Sequence, residues 1–149
     1  MSNRQIVSIA VGLPLAAVFI FLLWYTQSHA HVGLKALTLS TSTVYVTISE
    51  TEEARELGLG GRASLAPDEG MLFIFPNEGK YAFWMKDMKF SIDMIWIATD
   101  GTIVYIAPNV APETYPNTYV SDKPARYVLE VPAGYASQHG IGAGQKVGI

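Results

Sequence analysis

The strongest constraint on the fold is a series of short apolar segments, each closed by a turn signal before it is long enough for a packed helix. Met71 to Phe75 and Tyr81 to Met85 are apolar on consecutive positions, which suits strands covered on both faces. The Pro76-Asn77-Glu78-Gly79 cluster between them reads as a turn. Ile92 to Ala98 and Thr102 to Ala107 flank Asp100-Gly101, which predicts a two-residue hairpin turn. Arg126 to Val131 is a further strand, and Ala36 to Thr43 and Val44 to Ile48 are β-branched and threonine-rich. Between them Ser49-x-x-Glu52 reads as a capping box for one short helix, which Gly58 ends in a left-handed turn.

Pro108 to Pro124 is rich in proline and asparagine and predicts a long ordered loop. A helical turn near Ser137-Gln138-His139 and a closing segment at Lys146 to Ile149 complete the chain. Many short strands and one short helix predict a mainly β (α+β) fold, with an antiparallel sheet or partly closed barrel. The strand–helix alternation of a doubly wound fold is absent.

The N-terminus is of a different kind. Ile6 to Tyr25 carries no charge, and twenty helical residues rise about 30 Å, the thickness of a bilayer's hydrocarbon core. Arg4 and the α-amino group mark the cytoplasmic side, while Trp24 and Tyr25 suit the opposite interface. The stretch reads as an uncleaved anchor. The competing reading is a signal peptide cut after Ala30, because Ser28-His29-Ala30 has the small-x-small pattern. Residues 1–30 are thus a transmembrane or signal helix and linker, and 31–149 a single β-rich domain. Either reading puts the domain outside the cytoplasm, with the membrane as partner through residues 6–25, or secreted after cleavage.

The net charge of −3 becomes −4 without Arg4, which gives no support for nucleic-acid binding. Without cysteine, the domain has no disulfide, thiolate metal site or cysteine nucleophile, and depends on its hydrophobic core.

Arg55, Gly58-Leu59 and Arg62, then Gly70-Met71-Leu72-Phe73, Phe83-Trp84-Met85-Lys86, Asp93, Asp100-Gly101, Tyr127-Val128-Leu129-Glu130 and Ala133-Gly134 occur in order. On these motifs the chain resembles the domain of unknown function 192 family from about Val44 to Val147. The resemblance implies a compact β-rich domain, secreted or anchored, without an established activity. This chain departs from the family pattern in having Gly60 where methionine is usual, Asp87-Met88 for Asn-Thr, Ser91 for proline and Gln145 for aspartate.

Several residues could carry chemistry. Asp93 lies in a strand apolar on both faces, so its carboxyl must be paired with a cation, bonded by backbone amides, or held protonated. An ion pair with Arg62, Lys86 or Arg126 is the expected arrangement. Register from a two-residue turn would set Asp93 opposite Pro108, which has no backbone donor. Arg62 could clamp a carboxylate or phosphate, and Lys86 could lie over an aromatic face or at an exposed strand end.

A ligand site would gather Arg62, Met71, Phe83, Trp84, Lys86, Asp87 and Asp93. Core packing is the alternative role for Met71, Met85, Phe83 and Trp84. Candidate catalytic residues are Asp93 and Glu130, with Glu69 and Asp87 as further carboxylates. The sequence lacks standard catalytic and nucleotide-binding motifs and implies no cofactor. The leading expectation is a membrane-anchored binding or accessory module with a small-molecule or protein partner. The alternative is a small carboxylate-based hydrolase or lyase. A remote third is a copper site using His31, exposed as an N-terminus by cleavage, with His139.

Overall fold

A computed structural model describes residues 16–20, 31, 33–39 and 42–149 of the chain. The predicted membrane stretch at residues 6–25 falls largely outside these; residues 16–20 are helical. Among the described residues no helix is long and apolar enough to cross a membrane. Residues 1–32 and 33–149 form separate units.

The unit of residues 33–149 is mainly β. Its seven-stranded sheet contains β1 (Lys35–Leu39), β2 (Ser42–Ser49), β3 (Glu69–Gly79), β5 (Ile92–Ile97), β6 (Ile103–Val110), β8 (Ala125–Pro132) and β9 (Val147–Gly148). The strand order is β6-β5-β8-β3-β2-β1-β9, and β4 (Phe83–Trp84) and β7 (Thr118–Tyr119) form a separate small ribbon. Only β2 and β3 pair in parallel within the sheet, and the helix α1 (Glu52–Leu57) lies in the connection between them. The sheet curls into a half-barrel. Its C-terminal segment reaches both edges: β9 pairs with β1, while Val147 and Ile103 donate their N–H groups to the Gly101 and Gln145 carbonyls. Lys146 Nζ meets Asp100 Oδ2 at 2.6 Å across the same gap. That contact, with Thr102, holds the Asp100 carboxyl well below the usual carboxylate range.

Both faces of the sheet are covered, which explains the unbroken apolar runs in the sequence. Leu72, Ile95, Ile97, Leu129 and Val131 face one cluster with Leu37, Val46 and Tyr135. Met71, Phe73, Met94, Trp96 and Val128 face the other, with Leu59 and Met85. Strand geometry sends successive side chains to opposite faces, so each strand supplies both layers.

Several expected details differ. The cap of α1 is Thr51, whose hydroxyl accepts from Ala54 N–H at 3.2 Å, in place of Ser49, which ends β2. Gly58 does close the helix at positive φ. Pro76 to Gly79 extends β3 rather than turning. The ladder with β8 breaks between Ile74 and Gly79, and that irregularity accommodates a proline without a donor. Tyr81 to Met85 supplies only the two residues of β4, since the chain turns at Met85, where Met88 N–H bonds back, and Asp87 takes φ 58°. The predicted loop from Pro108 to Pro124 holds the end of β6, a 3-10 turn (Pro112–Thr114) and β7. The predicted helical turn is α2 (Tyr135–Gln138).

The β5–β6 hairpin closes through three residues. Gly101 N–H bonds the Ala98 carbonyl and Ala98 N–H bonds the Thr102 carbonyl, with Gly101 at φ 81°. This is a turn followed by a left-handed bulge residue. A second bulge then shifts the ladder so that Met94, Ile95 and Trp96 pair with Ala107, Ile106 and Tyr105. The two-residue turn predicted those three pairs, but for the wrong reason.

Candidate aromatic cleft over Glu130

A cleft of about 1280 Å³ opens over the Met71 face of the sheet. Phe73, Phe75 and Glu130 of the sheet form its floor, α1 and Gly58–Gly61 one wall, and Tyr81–Trp84 with Lys86–Met88 the other. The two walls are tied where Gly61 N–H donates to the Asp87 carbonyl at 2.9 Å. Helix α1 buries none of its side chains. Arg55 tethers it instead, donating to the Glu50 carbonyl and, at 3.0 Å, to the Ile74 carbonyl. Its guanidinium carbon lies 5.2 Å from the centre of the Phe75 ring.

The aromatic residues brace one another. Phe75 stacks on Tyr81 with ring centres 3.5 Å apart. Phe83 meets Phe73 edge-on at 4.9 Å and Trp96 at 5.8 Å. Trp96 Nε1 donates to the Tyr81 carbonyl at 3.0 Å, fixing the wall against the sheet. Trp84 stays half exposed beside Tyr115.

Glu130 is the chemical centre of the cleft. It sits on β8 between Met71 of β3 and Met94 of β5 in register, with 4% of its surface exposed. Its Oε2 finds no hydrogen-bond partner among the described residues. Burial pushes the carboxyl up to about 8 from its ordinary 4.5. A charged carboxylate loses its hydration there and gains nothing in exchange, so the protonated form is favoured at neutral pH. Gly70 allows β3 and β8 to approach at this point, because a Cβ on it would lie 2.7 Å from the Glu130 carbonyl oxygen.

Asp93 does not belong to this site. It pairs with Val131 while Met94 pairs with Glu130, so the two acids project from opposite faces. The expected ion pair with Arg62, Lys86 or Arg126 does not form. Backbone N–H groups of Asn109 and Gly134 donate to Asp93 Oδ1 at 2.8 and 3.0 Å, and that of Ala136 to Oδ2 at 2.9 Å. Pro108 indeed offers no donor. The irregularity between Ile92 and Met94 presents Asn109 instead, at φ 52°.

Of the other residues singled out in the sequence, Phe83, Trp84, Lys86 and Asp87 line the cleft. Met71 is buried beside Glu130, and exposed Arg62 lies outside the lining. Arg126 donates to the Phe75 carbonyl at 3.3 Å and lies against Tyr127. Arg55, Phe75 and Tyr81 were not singled out for the site. A six-residue helix without an apolar stripe has to be held by something else, and Arg55 was the available signal. Of the two histidines of the copper reading, His31 belongs to the unit of residues 1–32 and His139 rests against Tyr135, and no metal-binding group of His, Cys, Asp or Glu converges among the described residues.

Residues 35–149 match the family model of domain of unknown function 192, DUF192, described as uncharacterized ACR. The chain belongs to the DUF192 family. Two solved structures are similar to it. One, from Sinorhizobium meliloti 1021, whose description suggests a transcription regulator, is 34% identical, with a TM-score of 0.71 over 76% of this chain and 89% of that one. The other, a protein of unknown function from Novosphingobium aromaticivorans DSM 12444, is 26% identical, with a TM-score of 0.73 over 78% and 85%. No curated protein matches the chain. The DUF192 match establishes the family, and the two solved structures support the mainly β fold.

Proposed function

We propose that this DUF192 domain is a binding module that takes a small ligand with an aromatic or apolar body in the cleft over Glu130. One observation carries the reading: an aromatic-walled cleft of about 1280 Å³ has in its floor a buried carboxyl whose Oε2 has no partner among the described residues. Ligand sites combine apolar walls with a few placed polar groups, and a buried polar group without a partner is costly unless something uses it. Paired-carboxylate hydrolysis has less support. Glu130 and Asp93 face away from each other, and three amides already occupy Asp93. The acids Glu52, Glu53, Glu56 and Asp87 on the cleft lining also weigh against carrying over a nucleic-acid role from the Sinorhizobium relative.

Aromatic fragments added to the full chain should shift the backbone amide NMR signals of residues 58–61, 81–88 and 130. Binding that shifts only other regions, or no binding by any fragment, would sink the proposal.

The uncharged stretch at residues 6–25 supports an extracytoplasmic domain held at the membrane. A reporter fused after Ile149 is expected to be active outside the cytoplasm, and activity confined to the cytoplasm would overturn this placement.

A further inference from the structure

We propose that the cleft selects an organic ammonium ion, an amine on an aromatic or apolar body, whose N–H groups bond the Glu130 carboxylate. The inference rests on the ligand-binding reading and names the chemistry of the ligand. Three features of the cleft point the same way. The free Oε2 of Glu130 is buried in the floor, where a cation can supply the missing bonds. Tyr81, Phe83 and Trp84 line the same space, and aromatic rings attract cations, as Phe75 already does with Arg55.

The remaining charges also favour a cation. Glu52, Glu53, Glu56 and Asp87 line the cleft, against Arg55 and Lys86. Arg55 is committed to two carbonyls and the Phe75 ring, so it is not a free clamp for an anion. Lys86 is exposed. Tyr81 is the other titratable group of the lining, and the strands flanking Glu130 set only Met71 and Met94 beside it.

Binding carries a proton balance. In the free protein, burial keeps the Glu130 carboxyl protonated up to about pH 8. When an ammonium group binds, the Glu130 O–H bond breaks, the proton passes to buffer, and N–H···O bonds form between the ammonium and the carboxylate. The amine keeps its own proton throughout. A neutral acceptor would instead take a hydrogen bond from the intact carboxyl and release nothing.

Phenethylamine, phenethyl alcohol and 3-phenylpropionate have similar aromatic bodies and differ in charge. Calorimetry on the full chain, in two buffers of different ionisation enthalpy, reads affinity and proton release together. At about pH 8 the amine should bind at least tenfold more tightly than the alcohol, about 1.4 kcal/mol. At about pH 6.5 its binding should release close to one proton, and its affinity should rise with pH between these points. Glu130→Gln should reduce the amine to the level of the alcohol and abolish its proton release, since the amide does not ionise. Equal binding of amine and alcohol, preference for the propionate, or amine binding that Glu130→Gln leaves undiminished would each overturn the cation at Glu130 and leave the cleft standing. If none of the three binds, cleft and cation fall together.

Discussion

Asp93→Ala is expected to lower the folding stability of the domain by about 3–5 kcal/mol, read as a shift of the urea midpoint at constant slope. The substitution removes the acceptor for three backbone N–H groups, those of Asn109, Gly134 and Ala136. These groups come from two segments far apart in sequence, the end of β6 and the start of α2. The carboxyl is their common fastener, and it is fully buried. Asp93→Asn is the informative companion. Its remaining oxygen can serve Asn109 and Gly134, but its NH₂ would face the Ala136 N–H, donor against donor. It should therefore lose about half as much as alanine. A cost below about 1 kcal/mol for alanine would show that the three bonds contribute little and that another contact joins β6 to α2.

The same residue shows how far the sequence could be read. A carboxyl within Ile92-Asp93-Met94-Ile95-Trp96-Ile97 had to be satisfied, and that much follows from the apolar run alone. Which donors satisfied it did not. They depend on a bulge that puts Asn109 at positive φ, and on Gly134 and Ala136, about forty residues further along. Backbone donors have no residue-type signature, so the sequence made the arginines and lysines look like the natural partners.

The strands and the hairpin were legible because their periodicity and turn residues are local. The pairing of β9 with β1, the bridging of both sheet edges by the C-terminal segment, and the reduction of Tyr81–Met85 to a two-residue strand are set by tertiary contacts. The cleft was half legible. Phe83, Trp84, Lys86 and Asp87 announce themselves as aromatics beside charge. Phe75 and Tyr81 look like ordinary strand residues until their rings stack across the end of β3. Glu130 was visible only as an acid within an apolar strand, and its exposure to the cleft depends on which face of β8 it takes.

That face has a measurable consequence. The Glu130 carboxyl titrates near 8 in the folded protein and near its ordinary 4.5 when unfolded. The folded state therefore binds the proton more tightly. Its contribution to stability is complete below about pH 4.5 and is lost as pH rises toward 8. Each pH step in that window costs up to about 1.4 kcal/mol, so the loss is about 3 kcal/mol at pH 7 and approaches about 5 above pH 8.

Glu130→Gln has the same shape and does not ionise. Its stability should lie within about 1 kcal/mol of the parent at pH 5 and exceed it by about 2–4 kcal/mol at pH 8. Urea unfolding of both proteins from about pH 5 to 9 measures the difference, in which the other titrating groups cancel. Parallel profiles across that range would mean that Glu130 is solvated or paired, and the buried-carboxyl description would fail. A widening gap would show a residue that weakens the fold at the pH where the cleft would work. Methionines flank it on both neighbouring strands, and a third would pack there without that cost. The proposed binding role would account for an acid in that place, since at neutral pH and above a methionine would leave the sheet more stable.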